Sequence, residues 1–272
     1  MRPGKRETGG PRSVSSAAAK PESPRVLILT PVKNAAAHLD GWAERIERLQ
    51  WPREALSLGL IESDSGDETW ARLNALAPAL RRRAERVTLV KRDYGFKAPV
   101  GLPRWAPALQ KLRRTVLARA RNQLLFRALD DEDWVLWVDV DVVDYPADIL
   151  PRLLALRLDI IHPHCVRQPG GPSFDLNAWR DDGAKTLHDF RGQGPVRLDS
   201  VGGTMLLVKA DLHRDGLIFP PFPYGVASPH IRRRHPVWGQ GEIETEGFGV
   251  MALDMGAQCW GLPDLEIIHA DT

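Results

Sequence analysis

The sequence has 272 residues, 43% of them hydrophobic and 26% charged, which is ordinary for a globular protein. A net charge of +2 gives no case for nucleic-acid binding, and the two cysteines fit no metal or redox spacing, as in a reducing compartment. Because no apolar run approaches the roughly 20 residues that span a bilayer, no transmembrane segment is predicted.

The first 24 residues are rich in Gly, Pro, Ser, Ala, Lys and Arg and contain no apolar segment of the signal-peptide type. We therefore predict a disordered tail over 1–24 and a single domain over 25–272. The basic residues of the tail are either solvated or in peripheral contact with an anionic membrane. A cytoplasmic location is expected, with that peripheral contact left open.

The first part of the domain alternates short apolar runs with stretches of helical periodicity. Pro31 is expected to end the first strand. The predicted elements are strands at 26–30, 57–61 and 87–90, with helices at about 39–49 and 69–80 between them. This alternation predicts an α/β domain with a central, mostly parallel sheet.

The second part of the domain has longer irregular stretches between its predicted elements. Loops of such length inside a compact domain are usually functional or disordered. In chain order we predict a loop at 94–107, a helix at 108–129, a strand ending near 138, a helix at 146–156, a strand at 159–161, a loop at 162–195, a strand at 201–208, a loop at 219–238, a helix at 242–255 and a strand at 265–268.

The strand that ends near 138 is followed by an acid-x-acid pair. A continuous apolar run from Trp134 to Val138 leads into Asp139 and Asp141, and is typical of a strand buried on both faces. Alternation along a strand would place both carboxylates on one side, about 7 Å apart. Two such charges repel each other, and Mg²⁺ or Mn²⁺ would neutralise them. The alternative is an ordinary solvated strand end.

Other candidates follow from position alone. Asp64 ends the second strand, where it would contact a ribose or base or else cap a helix. Arg121, near the end of the long helix, could reach a phosphate. Glu244 and Glu246 suit acid–base work, although the helix dipole favours acids at that position anyway. His269, after the last strand, is either a metal ligand or an ordinary strand-end histidine.

Between about 25 and 270 the sequence resembles the Golgi mannosyltransferases that form the mannan-polymerase complexes. The resemblance is carried by blocks in the family's order: Leu29-Thr30-Pro31-Val32-Lys33-Asn34, Glu62-Ser63-Asp64-Ser65, Ala120-Arg121-Asn122, Trp137-Val138-Asp139-Val140-Asp141, Phe174-Asp175-Leu176-Asn177-Ala178-Trp179, Val201-Gly202-Gly203-Thr204-Met205-Leu206-Leu207-Val208-Lys209-Ala210-Asp211, Glu244-Thr245-Glu246-Gly247-Phe248 and Ile268-His269. The two long blocks in the second half are specific, whereas the D-x-D pattern is generic.

The resemblance implies a GT-A fold, GDP-mannose as the donor, Mn²⁺ (or Mg²⁺) as cofactor, and transfer with retention to a mannose hydroxyl. It implies Asp139, Asp141 and His269 as metal ligands and Asp175 as an active-site residue. No part of the sequence resembles the membrane anchor and lumenal stem of the Golgi enzymes. The acceptor, a glycan or glycolipid, is therefore left open.

We accordingly predict a Rossmann-like, nucleotide-sugar-binding GT-A domain that catalyses glycosyl transfer. The donor is expected to contact Thr30, Pro31, Asn34, Asp64 and Asp139, and the catalytic side chains are expected to be Arg121, Asp175, Glu244 and Glu246. One rival is a nucleotide-sugar or glycan-binding subunit without turnover, although such a protein has no need for a metal. The other is a metal-dependent phosphohydrolase, which the absence of further acids at dinuclear spacing disfavours.

Overall fold

The computed structural model describes residues 23–97, 106–231, 234–235 and 239–270. Most of the predicted tail, and parts of the loops predicted at 94–107 and 219–238, lie outside these residues. The strands are β1 (Val26–Val32), β2 (Leu56–Glu62), β3 (Arg86–Lys91), β4 (Trp134–Val138), β5 (Val142–Asp144), β6 (Ile160–Val166), β7 (Trp179–Arg180), β8 (Lys185–Thr186), β9 (Val196–Leu198), β10 (Met205–Lys209) and β11 (Cys259–His269). The helices are α1 (Ala36–Arg48), α2 (Thr69–Arg83), α3 (Pro107–Ala128), α4 (Ile149–Ala155), α5 (Ala210–Arg214) and α6 (Glu244–Asp254), with 3₁₀ turns at Arg53–Ala55 and Leu187–Phe190.

The main sheet has the strand order β3-β2-β1-β4-β10-β6-β11-β5, and β9 pairs with β11 at its side. Strands β1 to β4 pair in parallel, as does β6 with β11, whereas β10 runs antiparallel to both β4 and β6. Helices α1, α2 and α3 connect the first four strands, which is what parallel pairing requires. The predicted α/β architecture is confirmed.

The sheet is buried on both faces, which explains the continuous apolar runs of its central strands. Val26 and Ile28 of β1 pack with Trp42 of α1 on one face. Leu27 and Leu29 pack on the other face, in a second apolar cluster to which α3 and α6 contribute. Within the described residues, no helix is both long and apolar enough to span a membrane.

Strand β1 continues through Pro31 to Val32, so the prediction that Pro31 ends it was wrong. The register explains why. Pairing with β4 stops at Leu29, whereas pairing with β2 continues to Val32. At Pro31 the strand is therefore paired on one side only, an edge-like position that tolerates a missing amide hydrogen.

Three strand boundaries differ more widely from the prediction. Strand β6 continues to Val166 and β11 begins at Cys259, because both include a proline and polar residues that interrupt the apolar pattern. The β6–β11 register shifts between Leu262 and Glu266, which accommodates Pro263. Strand β10 begins only at Met205, and the residues before it form a turn that lines the site described next.

Candidate active site

An open pocket of about 450 Å³ lies at the carboxyl end of β4. This is the edge at which open α/β sheets bind ligands. It is lined by α3, the residues after β4, the loop 174–177, the turn before β10, the start of α6 and the end of β11: Gln110, Arg113, Arg114, Leu117, Arg121, Asp139, Asp141, Phe174, Asp175, Leu176, Asn177, Gly203, Thr204, Glu244, Thr245 and His269. The pocket therefore gathers residues from both halves of the chain.

Asp139 and Asp141 reach this pocket from a turn rather than from a strand. Strand β4 ends at Val138, and the Val142 amide donates to the Asp139 carbonyl over 3.2 Å, which closes a tight turn. The Asp139 amide in turn donates to the Thr204 carbonyl over 2.9 Å. Strand alternation, from which the sequence placed the two carboxylates on one side, was the wrong reason for their common placement.

His269 lies beside Asp141 because β11 pairs with β5, the short strand that follows this turn. The Ala270 amide donates to the Asp141 carbonyl over 2.8 Å, and His269 Nε2 lies 3.1 Å from Asp141 Oδ1. Burial lowers the pKa of His269, but the Asp141 carboxylate outweighs burial and holds the pKa above its ordinary value. The Phe174 ring stacks on the imidazole at 3.9 Å between centroids.

Arg121 is a buried cation at the floor of the pocket, its side chain only 2% exposed. Its guanidinium lies over the rings of Trp137 and Phe219, at 5.6 and 5.1 Å from their centroids. Nη2 lies 3.0 Å from Asp139 Oδ1. Burial raises the pKa of Asp139 to about 7, against the pull of Arg121 and with the help of Asp141.

Asp175 is held by hydrogen bonds on both of its oxygens. Oδ2 accepts from the Gly203 amide (2.9 Å), the Thr204 amide (3.2 Å) and the Thr204 hydroxyl (3.0 Å), while Oδ1 accepts from the Asn177 amide (3.2 Å). Burial alone would raise the pKa of Asp175. His162 and these hydrogen bonds outweigh burial, so the pKa lies below its ordinary value.

Glu244 begins α6 with a left-handed backbone, at a φ of 60°. A residue other than glycine rarely adopts this conformation, which costs of order 1–3 kcal/mol and is found most often at functional sites. The buried carboxylate lies 3.3 Å from Arg121 Nε and 3.5 Å from Arg114 Nε, and it accepts the Thr245 hydroxyl over 3.0 Å. The strain therefore directs a carboxylate between two buried arginines.

Glu246 lies behind the pocket wall and does not line it. Its carboxylate accepts from Arg114 Nη1 over 2.6 Å and from Trp179 Nε1 over 2.7 Å. Among the residues that the structure describes, the ligand atoms of His235, Glu242 and Glu246 lie within 4.8 Å of one another, more tightly than those of the predicted metal set. Because Arg114 already occupies Glu246, a second cation would meet a guanidinium there.

The predicted donor contacts are dispersed. Thr30 is fully buried and lines neither cavity described here. Pro31 lines a smaller cavity of about 120 Å³, which shares Arg113 and Leu117 with the main pocket. The Asn34 side-chain oxygen accepts the Gly66 amide over 2.8 Å. The Asp64 carboxylate accepts the Tyr94 and Gly95 amides, so it fixes a loop instead of facing a free pocket.

Sequence reasoning missed several residues of the pocket. Arg114 belongs to a helix surface that the pattern assigned mostly to solvent, yet it is buried against Glu244 and Glu246. Phe174, Asn177 and Thr245 were noticed only as members of blocks of resemblance. The one signal within the sequence was the Gly202-Gly203 pair, since an added Cβ at Gly203 would lie 2.6 Å from Arg121 Nη2.

Comparison with known proteins gives one family and a set of structural neighbours. The Anp1 family model matches residues 12–191 and 188–223. The mannan polymerase complex subunit MNN9 of Candida albicans is 29% identical over 90% of this chain and 74% of its own length. The mannan polymerase II complex anp1 subunit of Schizosaccharomyces pombe is 31% identical over 90% of this chain, which spans 64% of that relative.

Among solved structures, the mannosyltransferase PcManGT from Pyrobaculum calidifontis, in complex with GDP-Man and Mn²⁺, superposes with a TM-score of 0.53. The alignment covers 91% of this chain and 57% of that chain at 18% identity. At this identity the likeness concerns the fold alone. The chain has the GT-A glycosyltransferase fold that the resemblance implied.

Proposed function

This chain belongs to the Anp1 family, and we propose that it is a metal-dependent glycosyltransferase that moves a sugar from a nucleotide-sugar donor to a hydroxyl of a glycan or glycolipid. The observation that carries the proposal is the pairing of His269 with Asp141 in the pocket next to Asp139. We further propose mannose from GDP-mannose, transferred with retention. The names of the relatives and of the mannosyltransferase neighbour support this finer part.

The His269–Asp141 pair was tested for its fit to a cation. His269 Nδ1 faces the Ala270 carbonyl at 2.8 Å, so Nδ1 carries the hydrogen and, in the neutral ring, Nε2 carries a lone pair. That lone pair faces a carboxylate oxygen at 3.1 Å, which only accepts hydrogen bonds when ionised. Two acceptors this close need a proton or a metal ion between them. The donor set of imidazole and carboxylates fits Mn²⁺ or Mg²⁺.

Asp139, Asp141 and His269 would hold the ion. When bound, it would supply the positive charge that neutralises a nucleoside diphosphate leaving group. Arg121, fixed by Trp137 and Phe219, would keep Asp139 ionised and add a second positive charge near the departing phosphate. Binding requires that Asp139 exchange part of its ion pair with Arg121.

The two carboxylates on the other side of the pocket would have different roles. All hydrogen bonds of Asp175 go to the loop 174–177 and to the turn before β10, so it would position both. Glu244 has an oxygen, Oε1, that accepts no hydrogen bond from the described part of the chain and contacts Arg121 only as an ion pair. We assign Glu244 to the reacting sugar and Glu246 to the support of Arg114.

A non-catalytic subunit is the alternative, and it has one specific support. The two relatives are named as subunits of mannan polymerase complexes, so a scaffolding role within such an assembly is consistent with the family. A scaffold would not need a strained, buried Glu244 beside paired metal-type ligands, which favours catalysis. Turnover by the isolated chain distinguishes the two.

The test is incubation with a panel of nucleotide sugars and Mn²⁺, measuring donor hydrolysis and transfer to saccharides. Thermal shifts with GDP and UDP, each with Mn²⁺, report the donor base independently of turnover, because a ligand of the folded state raises its stability. We expect the larger shift with GDP. A larger shift with UDP would change the donor, and absence of both binding and turnover over the whole panel would contradict the proposal.

A further inference from the structure

The loop 174–177 forms one lip of the pocket, and its backbone is fixed at nearly every residue. The Phe174 amide donates to the Cys165 carbonyl over 2.8 Å, and its ring stacks on His269. Asp175 binds the turn before β10. Within this fully described loop, Leu176 is the side chain left outside, 65% exposed at the pocket edge. A leucine held outward on a rigid loop loses little conformational freedom when a ligand covers it.

Asn177 adds a polar group whose orientation is determined by a chain of hydrogen bonds. The Thr245 hydroxyl gives its single hydrogen to the Glu244 carboxylate over 3.0 Å, so its oxygen can only accept from Asn177. The Asn177 amide nitrogen must therefore face Thr245, at 3.2 Å, which fixes an assignment that is otherwise ambiguous between nitrogen and oxygen. Its Oδ1 points elsewhere, and no described residue donates a hydrogen bond to it.

This lip lies away from the cavity expected for the donor base. The smaller cavity at Pro31 and Lys33 joins the main pocket through Arg113 and Leu117, and no residue of the loop 174–177 lines it. The proposed metal ligands lie between the two. A donor whose base occupies the smaller cavity and whose diphosphate meets Asp139 and Asp141 would present its sugar toward the lip. The molecule that meets the sugar there is the acceptor.

We propose that Leu176 and Asn177 form the binding site for the acceptor sugar, an assignment that rests on the proposed function. Leu176 packs against the apolar C–H face of a pyranose ring, and Asn177 Oδ1 accepts a hydrogen bond from one of its hydroxyls. A pyranose offers both features side by side, whereas an alkyl chain would leave Oδ1 without a donor. Few well-placed polar groups beside an apolar contact are typical of small-ligand sites.

The test uses methyl α-mannopyranoside as the probe, with the full chain saturated by GDP and Mn²⁺, and saturation-transfer NMR as the binding measurement. Leu176→Ala and Asn177→Leu are each expected to weaken saccharide binding about 10-fold or more. The thermal shift caused by GDP and Mn²⁺ should stay unchanged in both variants. Leu156→Ala and Asn74→Leu, exposed residues on other helices, are the matched controls and should bind as the wild type does.

The possible outcomes separate this inference from the proposed function. Unchanged saccharide affinity in both variants, or no saccharide binding by a wild type that binds GDP and Mn²⁺, overturns the acceptor site and leaves the proposed function intact. Loss of the GDP shift in either variant places the lip at the donor and also overturns it. Saccharide binding that depends on Leu176 and Asn177, in a protein that binds no nucleotide, supports the site and contradicts the proposed function.

Discussion

Asp175 and Glu244 are both carboxylates beside the pocket, but hydrogen bonding leaves them with different chemistry. A carboxylate oxygen has about two lone pairs, and Oδ2 of Asp175 already receives three donors. Such an oxygen has no capacity left to take a proton from a sugar hydroxyl. Glu244 receives one hydrogen bond, from Thr245, and is held otherwise by the charges of two arginines. Chemistry at the reacting sugar is therefore assigned to Glu244.

The first residue-scale prediction concerns Asp141. Asp141→Asn keeps the shape of the side chain but removes the charge that faces His269, so Mn²⁺ affinity and transfer should fall by about 100-fold or more. Folding should survive, because removal of one carboxylate relieves its repulsion of Asp139. Calorimetric Mn²⁺ titration and turnover measure the two effects. Asp211→Asn, whose side chain is 88% exposed, is the control. Near wild-type Mn²⁺ binding by Asp141→Asn would remove Asp141 from the metal site.

The second prediction concerns His269 and pH. Metal binding needs the neutral imidazole, so protons compete with Mn²⁺ once the pH falls through the pKa of His269. Since Asp141 raises that pKa above the ordinary 6.5, the loss of affinity should begin above pH 6.5 and deepen below it. His269→Ala should bind Mn²⁺ weakly at pH 7.5 and show a flatter pH dependence. Equal affinities of both proteins at pH 7.5 and 5.5 would make His269 an ordinary strand-end residue.

At the scale of elements, the sequence predicts the strands that are apolar on both faces and fails where function interrupts the pattern. Strands β2 and β3 lie within two residues of their predicted bounds, because packing between helix layers requires alternation on neither face. Strands β6 and β11 contain His164 and Pro263 and were predicted at less than half their length. Polar residues and prolines hide a strand from any pattern of hydrophobicity.

The site itself depends on pairings that a single sequence does not contain. His269 meets Asp141 because β11 lies beside β5, a three-residue strand too short to produce a periodic signal. Arg114 and Glu246 were predicted on general grounds to be solvated or at a helix start. They are buried together, and a charge hidden by its partner looks like a surface residue until both are placed. The resemblance supplied what periodicity could not.

The element-scale prediction concerns the contact of α3 with β2. A Cβ added at Gly59 would lie 2.6 Å from Leu29 Cδ2 and 3.0 Å from Ala128 Cβ, so α3 would be pushed from the sheet. Gly59→Ala should lower the free energy of unfolding by about 1–3 kcal/mol, the usual cost of overpacking. Gly66→Ala, where nothing lies within 4 Å, should change it by no more than about 0.5 kcal/mol. Urea unfolding of both variants tests this, and equal stabilities would contradict the contact.

At the scale of the whole molecule, folding buries several histidines and so couples stability to pH. Burial lowers the pKa of His162, His164 and His213. The unfolded chain therefore binds more protons than the folded chain in mildly acidic solution, and these histidines make stability fall as pH falls. Asp139, with its raised pKa, acts in the opposite direction over the same range. The total pH dependence is a difference of these effects, so a variant is needed to isolate one.

His213 is the group that isolates it. Its Nδ1 faces the Leu217 carbonyl at 2.7 Å and its Nε2 accepts the Trp137 indole hydrogen over 3.4 Å, so the neutral ring is satisfied at both nitrogens. A proton at Nε2 would meet the Trp137 hydrogen, and burial adds to this by lowering the pKa to about 4. The unfolded chain gains its proton near the ordinary pKa of about 6.5, so the native state loses stability as pH falls below that value.

The last prediction compares wild type with His213→Gln by urea unfolding at pH 7.5 and 4.5. Between these values wild type should lose about 2–3 kcal/mol relative to the variant, because the proton taken up by the unfolded chain is excluded from the folded one. Effects of Asp139 and the other histidines cancel in the comparison, since both proteins contain them. His188→Gln, at an exposed histidine, is the matched control and should follow wild type. Parallel pH profiles for wild type and His213→Gln would mean that the folded chain accommodates the imidazolium, against the geometry of Trp137 and Leu217.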